Sequence, residues 1–202
     1  MNKDGLLCRP CFVYIMDKYT LPTSVMFGDI ECGINADFRN VLKIFEILHD
    51  PDLLDQEKLL VALNYFYDDD VYKTDLKLAA TKMFDFLSCC DKKDNANKPE
   101  EKPLYDWEHD FNIIIAPVNR VLGYDVRGVK FLHWWTFMSA FMEIGECTLN
   151  TYIQIRKKLQ KNIKLEKYEE KLYKEHRNEI LLPKKYDKAT QELMDMIMGK
   201  EG

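Results

Sequence analysis

The sequence predicts a mainly α-helical protein, a helical bundle that carries a small β-hairpin near its N-terminus. Apolar residues recur at i, i+3 and i+4 spacing through most of the 202 residues, which is the period of amphipathic helices. One stretch near the start instead shows two short apolar runs around a glycine. With 47% hydrophobic and 12% aromatic residues, the chain has enough apolar material for a sizeable core.

Residues 16–90 are predicted to form an N-terminal half made of the hairpin and three helices. The hairpin is expected over 24–34, where the two apolar runs flank Gly28-Asp29, a dipeptide that suits a two-residue turn. Residues 1–15 carry no clear period and lack the features of a secretory signal peptide. They are interpreted as a disordered leader, or as an extension upstream of a later start codon.

The three helices of this half follow from apolar periodicity and from the polar residues and proline between them. After Asn35, an amphipathic helix with a side-chain cap is predicted to run until Pro51 stops it. Asp52 is a suitable cap for the second helix, over 53–67, and the third helix is expected at about 71–89. The apolar face of the first helix is formed by Phe38, Val41, Leu42, Phe45 and Leu48.

A polar linker is predicted over 91–103, because this stretch has two prolines and no large apolar residue. Beyond it, residues 104–199 are predicted to form a C-terminal helical half. Its first helix is expected to be capped by Asp106, to be kinked at Pro117 and to end at Gly123, a residue suited to a left-handed C-terminal turn. The helices after it are predicted over 128–144, 148–161, 164–181 and 187–198.

The helix predicted at 128–144 contains the segment "LHWW" and a broad apolar stripe. His133 borders this stripe and is interpreted as a structural residue with one ring nitrogen bonded to the backbone. The two adjacent tryptophans point about 100° apart, so they are expected to contact two different neighbouring helices, or one helix and a partner protein. The stripe consists of Phe131, Trp134, Trp135, Met138, Phe141 and Met142.

No combination of residues predicts an enzyme, a cofactor or a metal ion. The chain has no glycine-rich phosphate loop, no Gly-x-Ser-x-Gly elbow and no His-Glu-x-x-His. The acids of "DWEHD" at 106–110 are better explained as a helix cap and as anions near a helix N-terminus than as metal ligands or general acids. "CRPC" at 8–11 is half of a zinc motif without a second half, so the six cysteines are interpreted as free thiols.

Residues 154–188 carry a marked excess of Lys and Arg in a chain whose net charge is −5. Such a basic segment is compatible with a nucleic-acid-binding regulator or with an acidic partner. The signs are interleaved at spacings of three and four residues, however, which favours a solvated or partner-facing helix. No apolar run is long enough to cross a bilayer, so no membrane contact is predicted.

Two stretches of the sequence resemble the bacteriophage "gene product fifteen" family, which is found in tailed phages and prophages of Gram-positive bacteria. The first stretch leads from "LPTSVMFGDIECG" into "INADFR", and the second contains "YDWEHD", "GYD" and "LHWW" in the family's order. The likeness covers about residues 20–160. Its most specific part is "LHWW" after "GYD".

The resemblance implies a non-enzymatic protein of tail morphogenesis, similar to tail assembly chaperones. Such a protein binds the helical tape measure protein in the cytoplasm of the bacterial host, helps to recruit tail tube protein and is absent from the mature virion. The alternatives are a structural tail-completion or connector protein of the virion and, less favoured, the nucleic-acid-binding regulator. The residues predicted to bind a partner are Trp107, His133, Trp134, Trp135, Met138 and Met142.

Overall fold

A computed structural model of the chain describes residues 19–89 and 102–183. In these two ranges the chain is mainly α-helical, with eight α-helices and one two-stranded antiparallel hairpin. The predicted fold class is therefore confirmed. The predicted leader at 1–15 and the terminal helix at 187–198 lie outside the described residues, as does nearly all of the linker at 91–103.

The hairpin pairs β1 (Ser24–Phe27) with β2 (Ile30–Gly33) across a two-residue turn, as the sequence predicts. Gly28 has a φ of +61°, a left-handed conformation that glycine adopts without a steric penalty. On the inner face of the hairpin, the side chain of Phe27 is buried. The ammonium group of Lys82 lies 5.4 Å from the centre of the Phe27 ring, which fixes a buried cation against the hairpin.

Three helices follow the hairpin, namely α1 (Phe38–Leu48), α2 (Asp55–Phe66) and α3 (Leu76–Leu87). α1 packs against α2, and α2 contacts α3. A 3₁₀ turn at Asp70–Thr74 occupies the start of the region predicted as the third helix. The α-helix begins only after Asp75, whose carboxylate accepts a hydrogen bond from a backbone N–H of its first turn.

Two helix caps differ from the prediction. α1 is capped by Asp37, whose carboxylate accepts from the N–H of Arg39 at 2.9 Å, and not by Asn35. Asp52 does not cap α2, because the helix begins only at Asp55. The N–H of Leu54, the residue before the helix, donates to the carboxylate of Glu57 at 3.0 Å. Both helices therefore begin two residues after the predicted start, where an acid closer to the first turn takes the capping role.

The C-terminal half contains five helices and a 3₁₀ turn at Val126–Gly128. Pro117 lies inside the first of them, as predicted. Gly123 ends that helix with a φ of +80°, which confirms the predicted left-handed turn. The helices are α4 (Phe111–Leu122), α5 (Trp134–Met142), α6 (Thr148–Gln160), α7 (Lys167–Glu175) and α8 (Arg177–Ile180).

Two helices of this half are shorter than predicted. The helix predicted at 128–144 begins at Trp134, because the residues before it are extended and His133 forms a β-bridge with the chain ahead of α1. The helix predicted at 164–181 is divided into α7 and α8 at His176, where φ of −118° and ψ of 31° depart from helical values.

Residues of both halves pack into one large buried core. Helices α1 to α5 all contribute to it, together with the inner face of the hairpin. A smaller cluster of Tyr152, Ile155 and Ile180 lies where α6 meets α8. The largest fully buried side chains of the main core are Trp134, Phe38, Phe66, Phe86 and Phe137.

Candidate functional site

The segments "INADFR" and "LHWW" meet at the N-terminal ends of α1 and α5. The N–H of Phe38 donates to the carbonyl of Leu132 at 2.9 Å, and the N–H of Trp134 donates to the carbonyl of Ala36 at 2.8 Å. Besides capping α1, the carboxylate of Asp37 accepts from the N–H of Leu132 at 3.0 Å. The extended residues before α1 and those before α5 are therefore hydrogen-bonded to each other.

The side chain of Arg39 connects the loop after α4 to the N-terminal end of α1. Its guanidinium group is ion-paired with Asp37 at 3.0 Å. It also donates to the carbonyl of Val126 at 3.0 Å and to that of Val129 at 2.6 Å. A single side chain thus holds α1 and the 3₁₀ turn ahead of α5 in one fixed arrangement.

His133 caps α5, and both of its ring nitrogens are bonded to backbone groups. Nδ1 accepts from the N–H of Trp135 at 3.1 Å, and Nε2 donates to the carbonyl of Pro22 at 2.9 Å. This pairing requires a neutral imidazole that carries its proton on Nε2. Burial lowers the pKa of His133, and the bond to Pro22 opposes this effect more weakly. The interpretation of His133 as a structural residue is confirmed, with a second backbone bond that was not foreseen.

We expect His133 to make the protein less stable in mild acid. Its pKa is lower in the folded chain than the usual 6.5, so the unfolded chain binds the extra proton more readily. The stabilisation is complete above about pH 6.5 and is lost as the pH falls through the lowered folded-state value. Urea denaturation at about pH 7.5 and about pH 5 measures the loss of stability.

The control for this expectation is His133→Asn, because asparagine keeps an acceptor for the helix cap and does not titrate. The variant should lose less stability between the two pH values than the unchanged protein does. His176→Asn is a second comparison, because it removes a more exposed histidine whose Nδ1 lies 3.2 Å from a carboxylate oxygen of Glu179. An equal pH dependence of the unchanged protein and His133→Asn would contradict the role given to His133.

Trp134 and Trp135 both bond to the C-terminal end of α3. Each indole Nε1 donates at 3.0 Å, from Trp134 to the carbonyl of Leu87 and from Trp135 to that of Phe86. Carbonyls in the last turn of a helix have no partner within it, and the indoles supply donors to two of them. The carbonyl of Phe86 also accepts from the N–H of Cys89 at 3.0 Å. The rings diverge as predicted, since Trp134 packs against Phe45 of α1 and Trp135 stacks on Phe86 of α3.

The acids of "DWEHD" have structural partners. Asp106 accepts from two backbone N–H groups of the turn that follows it, at 3.0 and 2.9 Å. It does not cap α4, which begins at Phe111, four residues after the predicted start. Asp110, predicted as an anion near the helix N-terminus, is buried there and forms a bidentate ion pair with Arg156 at 2.7 and 2.8 Å.

Trp107 lies in a surface depression between α1 and the segment 103–111, which we name the α1 groove. Three adjoining cavities of about 530, 410 and 390 Å³ make up this groove. Glu46 and Glu108 line all three cavities, so the cavities adjoin one another. The apolar residues that line the largest of the three are Phe45, Pro103, Leu104, Tyr105, Trp107, Leu182 and Pro183.

The aromatic floor of the α1 groove is supported from below by the core. The ring of Trp107 lies 5.8 Å from that of Trp134 and 5.0 Å from that of Phe141, both on α5. Along the groove it lies 5.2 Å from the ring of Tyr105 and 6.2 Å from that of Phe45. Because these rings pack on one another and on α5, the core holds the floor of the α1 groove in position.

The other five residues that were predicted to bind a partner differ in how exposed they are. Trp134 is 1% exposed and His133 is 4% exposed, so neither can touch a partner in this structure. Trp135 and Met138 are half-buried. Met142 is 73% exposed, at the end of α5. Of these five, Trp134 supports Trp107 from inside, and only Met142 is freely accessible.

Sequence reasoning did not assign Phe45, Glu46 or Tyr105 to a binding surface. Apolar periodicity placed Phe45 on the buried face of α1, whereas the structure leaves it half-buried at the groove. A usable signal was present at Tyr105 and Trp107, two large aromatics close together in an acidic stretch. Aromatic residues are enriched at protein interfaces relative to the rest of the surface.

Within the described ranges, no three His, Cys, Asp or Glu side chains gather as a metal ion would require. No helix described here combines the length and the apolarity needed to cross a membrane. Cys32, Cys89 and Cys147 form no disulfide in the part of the chain that the structure describes, and "CRPC" lies outside it. Burial, assisted by the neighbouring Asp69, raises the pKa of Cys32 to about 11, so this thiol is unreactive at neutral pH.

A family model described as "Bacteriophage Gp15 protein" matches residues 18–182 of the chain. The match includes the hairpin, all the helices named above and the α1 groove up to Leu182. No curated protein and no solved structure matches the chain.

Proposed function

The chain belongs to the bacteriophage Gp15 protein family, and on this premise we propose that it is a tail assembly chaperone that binds the phage tape measure protein. It acts without a catalytic centre or a cofactor, in the cytoplasm of the bacterial host, and is absent from the mature virion. It also helps to bring tail tube protein to the assembling tail. Beyond family membership, the observation that supports this proposal is the α1 groove with Trp107 on its floor.

A tape measure protein is a long helical client with apolar faces that need cover until the tail tube closes around it. An amphipathic helix binds well in a groove that presents large aromatic side chains. Phe45, Tyr105 and Trp107 provide such side chains, and the core beneath holds them in position. The net charge of −5 favours the solubility of the chaperone with its client.

The second candidate is a structural tail-completion or connector protein of the virion. Exposed apolar side chains away from the groove favour it, because permanent assembly would bury them. These are Met142 at 73% exposure, Tyr168 at 68% and Phe131 at 57%. The two candidates differ in one measurable respect, since a structural protein remains in the finished particle and a chaperone does not.

A nucleic-acid-binding regulator receives less support from the basic region. Lys158 is ion-paired with Glu169 at 2.6 Å, and Lys171 lies 3.9 Å from Glu175. Arg156 is buried and is therefore unable to contact phosphate. Positive charges that are neutralised in this way contribute little to binding a phosphate backbone.

The test is a tagged copy of the chain expressed during phage production. We expect tape measure protein to co-purify with it from the lysate, and we expect the chain to be missing from purified particles. Trp107→Ala should reduce the captured tape measure protein by about tenfold or more, since buried aromatic anchors dominate such interfaces. Near-UV circular dichroism should first confirm that the variant is folded.

Met142→Ala is the matched control, because it removes an exposed apolar side chain outside the groove. It should leave capture unchanged if the α1 groove is the binding surface. Equal losses in both variants would argue against the groove. The chain in purified particles would instead support the structural candidate.

A further inference from the structure

The outward side of α2 is apolar although it faces solvent. Helix α2 buries Ala62, Leu63 and Phe66 on its inward side, as an amphipathic helix should. Its other side carries further apolar residues, and a helix that is apolar all round is normally covered all round. We name this surface the α2 outer face. Its apolar residues, with their exposed fractions, are Leu54 (71%), Leu60 (48%), Val61 (37%) and Tyr65 (43%).

Acidic side chains surround the start of the α2 outer face. Residues 50–57 contain four acids and no base. Asp50 and Glu57 accept from backbone N–H groups at 2.9 and 3.0 Å, which leaves their negative charges in place. Asp55 lies 3.6 Å from Lys58, and the side chain of Asp55 is fully exposed. Even with Lys58 counted, the acids are in excess, so this face combines apolar side chains with negative charge.

Helix α7 presents lysines and a tyrosine to solvent. None of its nine residues is buried, and Tyr168 is 68% exposed. Three of its lysines recur at spacings of four and three residues, so they share one side of the helix with a fourth that precedes it. We name this surface the α7 lysine face. It consists of Lys164, Lys167, Lys171 and Lys174, with Tyr168 beside them.

The charge of the α7 lysine face is hardly offset by neighbouring acids. Lys171 lies 3.9 Å from Glu175, at the limit of an ion pair. The other three lysines form no ion pair with any residue that the structure describes. Glu166 and Glu169, the acids nearest to them in the sequence, are both paired with Lys158 of α6. The face therefore combines positive charge with one exposed aromatic ring.

The stability of α7 itself does not account for these lysines. The helix dipole disfavours a cation near a helix N-terminus, yet Lys167 is the first residue of α7 and Lys164 lies three residues before it. A helix of nine residues is also too short to be stable alone, and α7 rests on the protein through half-buried side chains such as Leu172 and Tyr173. A surface with negative charge and apolar side chains would stabilise α7 in both respects.

We propose that the α2 outer face of one copy of the chain binds the α7 lysine face of a second copy, head to tail. Tyr168 and the aliphatic stems of the lysines cover the apolar residues of α2. The ammonium groups then lie against the acids at the start of α2, among them Asp52 and Asp55. This inference goes beyond the proposed function, because it concerns the association of the chain with itself.

Charge complementarity argues for a second copy in this unlike arrangement. Two α2 outer faces in contact would bring acids together, and two α7 lysine faces would bring lysines together, so symmetric pairing is disfavoured. Within one copy both faces are exposed, since α2 packs against α1 and α3 whereas α7 contacts α8. A contact between unlike faces leaves one of each free at the ends, so association continues beyond a dimer.

The experiment is sedimentation velocity of the purified full chain at increasing concentration. Two short helices bury less than the roughly 1,200 Å² of a stable complex, so each contact is weak. Over about 10–500 µM we expect a shift from monomers to species larger than dimers. Raising the salt from about 0.01 M to about 0.15 M should move this shift to higher concentration, because the charges are exposed.

Charge reversal on either face should weaken the association about tenfold or more, since like charges then meet across the contact. The first variant is Lys164→Glu with Lys167→Glu, and the second is Asp52→Lys with Asp55→Lys. All four changes in one chain should restore the association, because the reversed charges are complementary again. A mixture of the two variants should also associate, in alternation.

Two control variants make the same changes of net charge at exposed positions outside both faces, and they should associate normally. They are Lys77→Glu with Lys130→Glu, and Glu143→Lys with Glu146→Lys. Near-UV circular dichroism should confirm that each variant is folded. An equal loss of association in the controls would overturn the proposal.

Three other results would also overturn it. The first is a chain that stays monomeric over the whole concentration range. The second is a loss of association on reversing only one of the two faces, which would indicate symmetric pairing. The third is no recovery when both faces are reversed together. If the chain stays monomeric and Asp52→Lys with Asp55→Lys lowers the capture of tape measure protein, a client helix and not a second copy covers α2.

Discussion

Replacing Arg156 with methionine is expected to lower the free energy of unfolding by about 3–5 kcal/mol. The guanidinium group is buried and bonds both carboxylate oxygens of Asp110, at 2.7 and 2.8 Å. It also donates to the carbonyls of Leu104, Glu179 and Ile180. Its removal leaves a buried carboxylate without its counter-charge and three carbonyls without this donor. Urea denaturation followed by tryptophan fluorescence measures the change.

The matched control is Lys158→Met, two residues further along α6. Lys158 is ion-paired with Glu169 at 2.6 Å, but its side chain is 26% exposed, against 4% for Arg156. A pair that is accessible to water contributes little to stability, so this variant should unfold at nearly the normal urea concentration. If the two variants lost the same stability, burial of Arg156 would not explain its effect.

The buried ion pair of Arg156 with Asp110 could not be predicted from the sequence. In the sequence this arginine belongs to a basic stretch that was interpreted as solvated or facing a partner. Its ion-pair partner is 46 residues away, and the carbonyl of Leu104 is 52 residues away. No local pattern relates positions at such distances. The buried pair follows from the packing of α6 against the start of α4, which only the structure shows.

Features that depend on neighbouring residues were predictable. The hairpin followed from two apolar runs around Gly28, and the end of α4 followed from Gly123, whose φ of +80° suits glycine. Helix starts were less accurate, because several acids near each start compete for the capping position. Asp37 and Glu57 took roles that had been assigned to residues two to five positions earlier.

The candidate site was predictable only in part, because the burial of its residues depends on segments that are distant in the sequence. Trp107 was identified as a partner-binding residue, and the structure places it on the floor of the α1 groove. Phe45 has the spacing of a core residue, but the groove exposes part of it where α1 meets the segment before α4. Whether a periodic apolar residue is covered depends on which distant segment packs beside it, and periodicity alone does not contain that information.

Replacing Trp134 with alanine is expected to lower the free energy of unfolding by about 3–5 kcal/mol, the usual cost of removing a buried tryptophan. Its ring is 1% exposed and lies 5.7 Å from that of Phe137 and 5.8 Å from that of Phe45. The variant also leaves the carbonyl of Leu87 without the indole donor. Trp135→Ala, at a half-buried position that bonds α3 in the same way, should cost less, and urea denaturation of both variants provides the comparison.

Trp134 also connects stability to binding, because its ring supports that of Trp107 at 5.8 Å. A cavity beneath Trp107 lets the floor of the α1 groove move, so Trp134→Ala should weaken the capture of tape measure protein even where the variant is still folded. Trp134→Phe keeps a ring in place and should retain most of that binding, although it still loses the donor to Leu87. If Trp134→Ala captured tape measure protein normally while folded, the groove would not depend on this support. If Trp135→Ala were the more costly variant in both stability and capture, the half-buried Trp135 would be the more important tryptophan of "LHWW".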